Sequence, residues 1–176
     1  GGLGCLDGRM RIELVRGDIT REDVEAIVTA ANEELRGGGG VDGAVHKAAG
    51  PHLLEACRPL APCPAGSAVI TAAFDLAPVK WVIHAVGPIY SGPADAVVLA
   101  SAYKTSLQRA DGVGAKTVAF PSISTGVYGY PVEAAAHVSV EALRSASTHV
   151  EVVRLVAFND PAHEAWAEAL SDRGAR

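Results

Sequence analysis

Between positions 32 and 46 the chain sets an amide, four consecutive glycines, a carboxylate and an imidazole: Asn32, glycines 37–40, Asp42 and His46. Glycine lets backbone N–H groups approach a ligand with no side chain in the way, and it tolerates φ > 0. Such N–H groups leading into a helix suit a phosphate. A carboxylate beside them can orient or deprotonate a water. Asp42 and His46 are four residues apart, so a helix puts them on one face. Each residue also has a plain role. Asp42 in a first helical turn favours the dipole, His46 can be a packed or surface histidine, and Asn32 a turn residue. It is the combination that points to chemistry.

A second loop has the same character. Residues 122–130 read Ser-Ile-Ser-Thr-Gly-Val-Tyr-Gly-Tyr and are followed by Pro131, which is expected at the first position of a helix over 131–146. Both loops need strands to present them. Alternation and continuous apolar runs predict strands at 10–15, 26–31, 67–72, 80–86, 117–120 and 152–158. Helices are predicted at 41–49, 51–58, 94–110 and 161–170 as well, with Gly50-Pro51 separating the first two. Buried strands alternating with helices imply an α/β sandwich with a largely parallel sheet, which binds ligands at the carboxyl ends of its strands. The loops at 32–43 and 122–130 both leave strands there.

Composition narrows the function. The 176 residues, 49% hydrophobic and 20% charged, fit one soluble domain, and a net charge of −5 without a Lys/Arg cluster makes duplex nucleic acid a poor partner. No apolar run reaches the ~20 residues of a membrane span, and no signal peptide is visible. Three cysteines without CxxC spacing read as apolar fillers in a reducing, cytoplasmic compartment rather than disulfides or a zinc site. Residues 1–9, before the strand at Met10, are set aside as a leader, leaving 10–176 as a single domain. Gly38, Gly40 and Gly43 satisfy G-x-G-x-x-G, but Asn32-Glu33-Glu34-Leu35-Arg36 separates them from their strand and no acidic residue stands about 20 positions on. A dinucleotide-binding dehydrogenase is therefore rejected.

Thr29-Ala30-Ala31-Asn32, followed by the continuous stretch 37–50, Gly-Gly-Gly-Gly-Val-Asp-Gly-Ala-Val-His-Lys-Ala-Ala-Gly, resembles the signature of macrodomains of the MacroD class. Gly17-Asp18-Ile19-Thr20, residues 83–88 and residues 122–131 match further segments of that family in order, so the resemblance covers 10–170. It implies a three-layer α/β/α sandwich with a mixed, largely parallel central sheet. It also implies ADP-ribose, free or on modified proteins or metabolites, as ligand. By position, Asp18 resembles the acceptor of the adenine amino group, with Ile19 beside it. Phe158 sits where the family stacks an aromatic ring, although a phenylalanine at a strand end is equally a core residue. Ser124, Thr125, Gly126, Val127 and Tyr128 resemble a phosphate loop. Gly39, Gly40 and Val41 resemble the loop along the distal ribose and diphosphate, with Asn32 and Asp42 the pair aimed at that ribose in hydrolytic members. One position departs: Thr29 stands where the family pattern has asparagine.

The resemblance implies a hydrolase for ADP-ribosyl esters, either of modified Asp/Glu side chains or of O-acetyl-ADP-ribose. The leaving group is a carboxylate and needs little acid assistance. Asp42, helped by Asn32, is expected to position or deprotonate the water, in competition with the substrate's own diphosphate. His46 is expected to orient the loop, and neither metal nor cofactor is expected. The alternative is a module that only reads ADP-ribose.

Overall fold

The computed structural model describes residues 10–172, so the leader expected at 1–9 lies outside the described residues. Six strands form one sheet: β1 (Arg11–Arg16), β2 (Ala26–Ala30), β3 (Ala68–Ala72), β4 (Trp81–Ala85), β5 (Thr117–Phe120) and β6 (Val152–Ala157). Their order is β1-β6-β5-β2-β4-β3, and every pairing is parallel except the edge pair β3–β4. Five helices cover it: α1 (Gly40–Ala49), α2 (His52–Cys57), α3 (Asp95–Gly112), α4 (Val132–Ser145) and α5 (Asp160–Ser171).

Strand parity sorts the two faces. In β2, Ala26 and Val28 join the apolar layer under α3, α4 and α5, whereas Ile27 joins the layer under α1 and α2. In β5 and β4 the split repeats: Val118, Phe120 and Ile83 face one way, Ala119 and Val82 the other. This is why these strands read as continuous apolar runs, since a sheet covered on both faces has no solvent side. The architecture is the α/β/α sandwich expected, with α3–α5 as one outer layer and α1–α2 as the other. Among the described residues no helix is long and apolar enough to cross a membrane.

Several boundaries move by local chemistry. Pro131 is not the first helical residue. Its ψ of 131° leaves it outside as the cap, and α4 begins at Val132. The segment after Gly17 is a 3-10 turn (Ile19–Arg21) capped by Asp18 rather than a simple turn. The chain after α2 tightens into a second such turn, Arg58–Leu60. The strand at 152–158 ends at Ala157, which releases Phe158.

The parallel strands β1, β6, β5 and β2 all end at one edge, in that order. There they deliver residues 17–20, 158, 121–131 and 31–39 respectively. Three strand spacings of ~4.8 Å carry this row over roughly 14 Å.

Candidate functional site

At the β1 end, Asp18 Oδ1 accepts from the Thr20 backbone N–H (2.9 Å) and its hydroxyl (2.7 Å). These bonds hold the carboxyl below the usual carboxylate range, so it is charged at neutral pH. Oδ2 lies 3.9 Å from Arg21 Nε and has no hydrogen-bond donor among the described residues. Ile19, beside it, is buried. Phe158 is 69% exposed, which removes the reading of it as a core phenylalanine. Gly17 N–H donates to the Ala157 carbonyl, so the Asp18 turn and Phe158 leave neighbouring strands side by side.

The middle of the row is the loop after β5. Tyr103, from α3, donates its hydroxyl to the Pro121 carbonyl and accepts from Ile123 N–H, both at 3.1 Å. Ser124 adopts φ +70° and donates its hydroxyl to the Pro88 carbonyl. Thr125 donates its own to Ser122. The hydroxyls are thus spent inside the protein. The backbone N–H groups of 124–128 donate to no acceptor among the described residues, and Gly126 and Val127 are exposed. Gly87 makes the close packing possible, because a Cβ there would collide with the Ser124 side chain. Tyr128 is half-buried, and its hydroxyl is pushed up by burial and by the charges of Glu33, Glu34 and Asp42. The second loop therefore faces the first.

The first loop is stapled by Asn32. Its Nδ2 donates to the Gly37 carbonyl (2.8 Å) and its Oδ1 accepts from Arg36 N–H (3.1 Å). Gly39 caps α1 without any side-chain bond, so the first N–H groups of that ten-residue helix, Gly40, Val41 and Asp42, have no acceptor among the described residues. Free N–H groups and the positive helix end favour an anion. Gly43 lets α1 meet the loop, since a Cβ there would strike the Gly38 carbonyl.

Asp42 itself is 5% exposed. The Thr29 hydroxyl donates to its Oδ1 at 2.9 Å, and His46 Nε2 lies 3.6 Å from the same oxygen. Desolvation by burial raises the Asp42 pKa, opposed by the Thr29 hydrogen bond and by the neighbouring His46. His46 Nε2 is buried without a hydrogen-bond partner. A buried carboxylate with a raised pKa is a stronger proton acceptor than a solvated one once ionised.

Thr29 is not marked as a site residue by its sequence, except as a departure from the family pattern. It is the residue that grips Asp42. The available signal is parity: Thr29 shares a face with Ile27, so a polar group at that buried position needs a partner. The same face holds His84, which burial keeps neutral with a pKa lowered to about 3. Thr71 donates to the Ala72 carbonyl and accepts from His84 Nε2. His46, Cys57 and His84 bring potential metal-ligating atoms within 4.8 Å of one another. Yet the Cys57 sulfur is 3.7 Å from both His84 ring nitrogens, so it lies between them and the one free ring lone pair, on Nδ1, is not aimed at it. Burial also pushes the thiol up to about 11. These groups serve as a packed polar floor beneath Asp42. Cys63 is buried too, and Cys5 lies outside the described residues.

Comparison with known proteins agrees with this arrangement. The profile of the Macro domain family matches residues 28–139. A macro domain-containing protein of Streptomyces coelicolor is 50% identical over 166 residues, spanning 90% of this chain and 98% of that one. A protein of Enterobacter cloacae named O-acetyl-ADP-ribose deacetylase is 49% identical over 173 residues, spanning 93% and 96%. Among solved structures, a variant of the Oceanobacillus iheyensis macrodomain with ADPR aligns at TM-score 0.86 and 38% identity over 94% of both chains. The Trypanosoma brucei macrodomain in complex with ADP-ribose aligns at 0.84 and 33%, over 91% of this chain and 69% of that one. Sequence, sheet order and site geometry lead to one conclusion: this chain belongs to the macro domain family.

Proposed function

We propose that the protein binds ADP-ribose along the β1–β6–β5–β2 edge and hydrolyses ADP-ribosyl esters, of modified Asp/Glu side chains or of acetate, without a metal. Adenine stacks on Phe158 and donates its amino group to Asp18. The diphosphate takes the backbone N–H groups of 124–128 and of the α1 start. The distal ribose lies against Gly39, Gly40 and Val41. Asp42 orients the water and takes its proton as the water oxygen bonds to the ester-bearing ribose carbon; that carbon's bond to the carboxylate oxygen breaks, and the carboxylate departs with the bonding pair. The observation that carries the reading is the buried Asp42 carboxylate, gripped by Thr29 beneath a loop of unpaired N–H groups.

The test is to incubate the protein with O-acetyl-ADP-ribose and with an ester-linked ADP-ribosylated protein. Release of free ADP-ribose from both, unaffected by EDTA and slowed ~10²-fold or more in Asp42→Ala, is expected. A reader module is the second reading. Its support is Asn32, whose amide is engaged at both ends inside its own loop. Tight ADP-ribose binding with no turnover on either ester would put the reader first.

A further inference from the structure

On the far side of the glycine loop the surface sinks into two adjoining depressions of about 660 and 360 Å³, both bordered by Arg36 and Leu54. Arg58 and Pro62 border the larger, which suits a few side chains in size. Lys47, His46, Gly37 and Gly38 border the smaller. Arg36, Lys47 and Arg58 are all exposed, and none of their side chains makes an ion pair or hydrogen bond among the described residues. In a chain of net charge −5, three unpaired basic groups around one groove stand apart from the bulk. The groove is also placed next to the chemistry. Gly37 and Gly38 form its rim and run directly into Gly39 and Gly40, and His46 stands between it and Asp42.

We propose that this groove holds the acceptor polypeptide of an ADP-ribosylated protein, an acidic segment flanking the modified carboxylate, while the ADP-ribose occupies the strand-end cleft. The proposal rests on the hydrolase reading above and names its substrate class. Charge complementarity selects an acidic occupant. The lining selects polypeptide over nucleic acid. Leu54 and Pro62 give it apolar patches, Glu34 interrupts the positive charge, and His46 alone among its residues has an aromatic ring. The bases of a nucleic acid would lack a stacking platform there.

The experiment measures kcat/KM for three esters: O-acetyl-ADP-ribose, an ADP-ribosyl-glutamate peptide with acidic flanks, and the same peptide with neutral flanks. Parent protein is compared with Lys47→Glu/Arg58→Glu and with Lys47→Ala/Arg58→Ala, both at exposed positions. The parent is expected to prefer acidic flanks about tenfold at low salt and to lose that preference as salt rises. Both double variants should lose the preference while hydrolysing O-acetyl-ADP-ribose at the parent rate. Equal losses on all three esters, or no effect of flank charge in the parent, would overturn the proposal. So would a parent that, given an ADP-ribosylated oligonucleotide as a fourth substrate, prefers it over the acidic peptide. If none of the esters is hydrolysed, the hydrolase reading fails by itself. The groove is then judged by affinity, where the acidic ADP-ribosylated peptide must bind more tightly than free ADP-ribose in the parent and no more tightly in the variants.

Discussion

Asp42 is held in the folded state at a cost. Burial raises its pKa, so ionising it at neutral pH opposes folding. A proton binds this carboxyl more tightly in the folded protein than in the unfolded chain. Stability is therefore lost as pH rises from the unfolded carboxylate range through the raised folded value. Asp42→Asn keeps an acceptor for the Thr29 hydroxyl and removes the charge. Its Tm at pH 7.5 should exceed the parent's, with the gain shrinking toward acid pH, while ester hydrolysis falls ~10²-fold. A Tm at or below the parent's would mean that the charged form is well paired. Thr29→Val tests the grip from the other side. Losing a donor that favours the ionised form raises the Asp42 pKa further, so the acidic limb of the pH–rate profile should shift to higher pH, with activity partly recovered by raising pH. Thr29→Ser should leave the limb in place. An unshifted limb in the valine variant would assign that limb to another group, the substrate diphosphate first.

At the scale of elements, the two loops divide the work of glycine. Gly40 has φ +60°, so any side chain there strains the backbone whatever ligand is present. Gly39 is the cleaner probe, with φ −101° and no atom within 4 Å of the place a Cβ would take. Gly39→Glu should reduce ADP-ribose affinity at least tenfold, about 1.4 kcal/mol, with circular dichroism and Tm unchanged. Undiminished affinity in calorimetry would take the α1 start out of the site. Gly43→Ala should instead lower Tm, because the clash is with backbone. Strand–loop–helix order was legible in the sequence, since apolar runs, Gly50-Pro51 and Pro131 mark it. The glycine loop, Asp42 and Asp18 were legible through their residue types and their resemblance to a family. What escaped was tertiary. Thr29, Tyr103 and Gly87 act through partners 13, 18 and 37 residues away (Asp42, Pro121 and Ser124), and no local pattern encodes those distances. Which strand of the mixed sheet runs antiparallel, β3, escaped for the same reason, since direction is a property of the pair.

Across the whole molecule, the strand order lays the site out as a line. Asp18 and Phe158 stand at one end, the N–H groups of 124–128 in the middle, and Asp42 at the other. In the function proposed above, a ligand is measured for length along this line. ADP-ribose should bind in the micromolar range, about −8 kcal/mol, and AMP much more weakly, since it spans only the β1–β5 part. Equal affinities would reduce the site to its adenine end. Asp18→Asn should cost about 1–3 kcal/mol of ADP-ribose binding. The loss should be smaller for a ligand whose base lacks the amino group; an equal loss for both ligands would show Asp18 acting elsewhere.

The position of β1 has a consequence for how the protein is made. Among the described residues β1 pairs with β6 alone, and 135 residues separate the last residue of one from the first of the other. During synthesis the segment carrying Asp18 emerges well before its partner strand, Val152–Ala157, and waits for it to join the sheet. A nascent chain can already hold the glycine loop, Asp42 and its Thr29 grip, since β2, α1 and β4 lie close in sequence. The end of the site at Asp18 and Phe158 is completed only when β6 joins β1, two segments far apart in the sequence. Ribosome-stalled chains ending before residue 150 should therefore lack ADP-ribose binding even where the central strands are protected from proteolysis, and binding should appear in one step once β6 has cleared the exit tunnel.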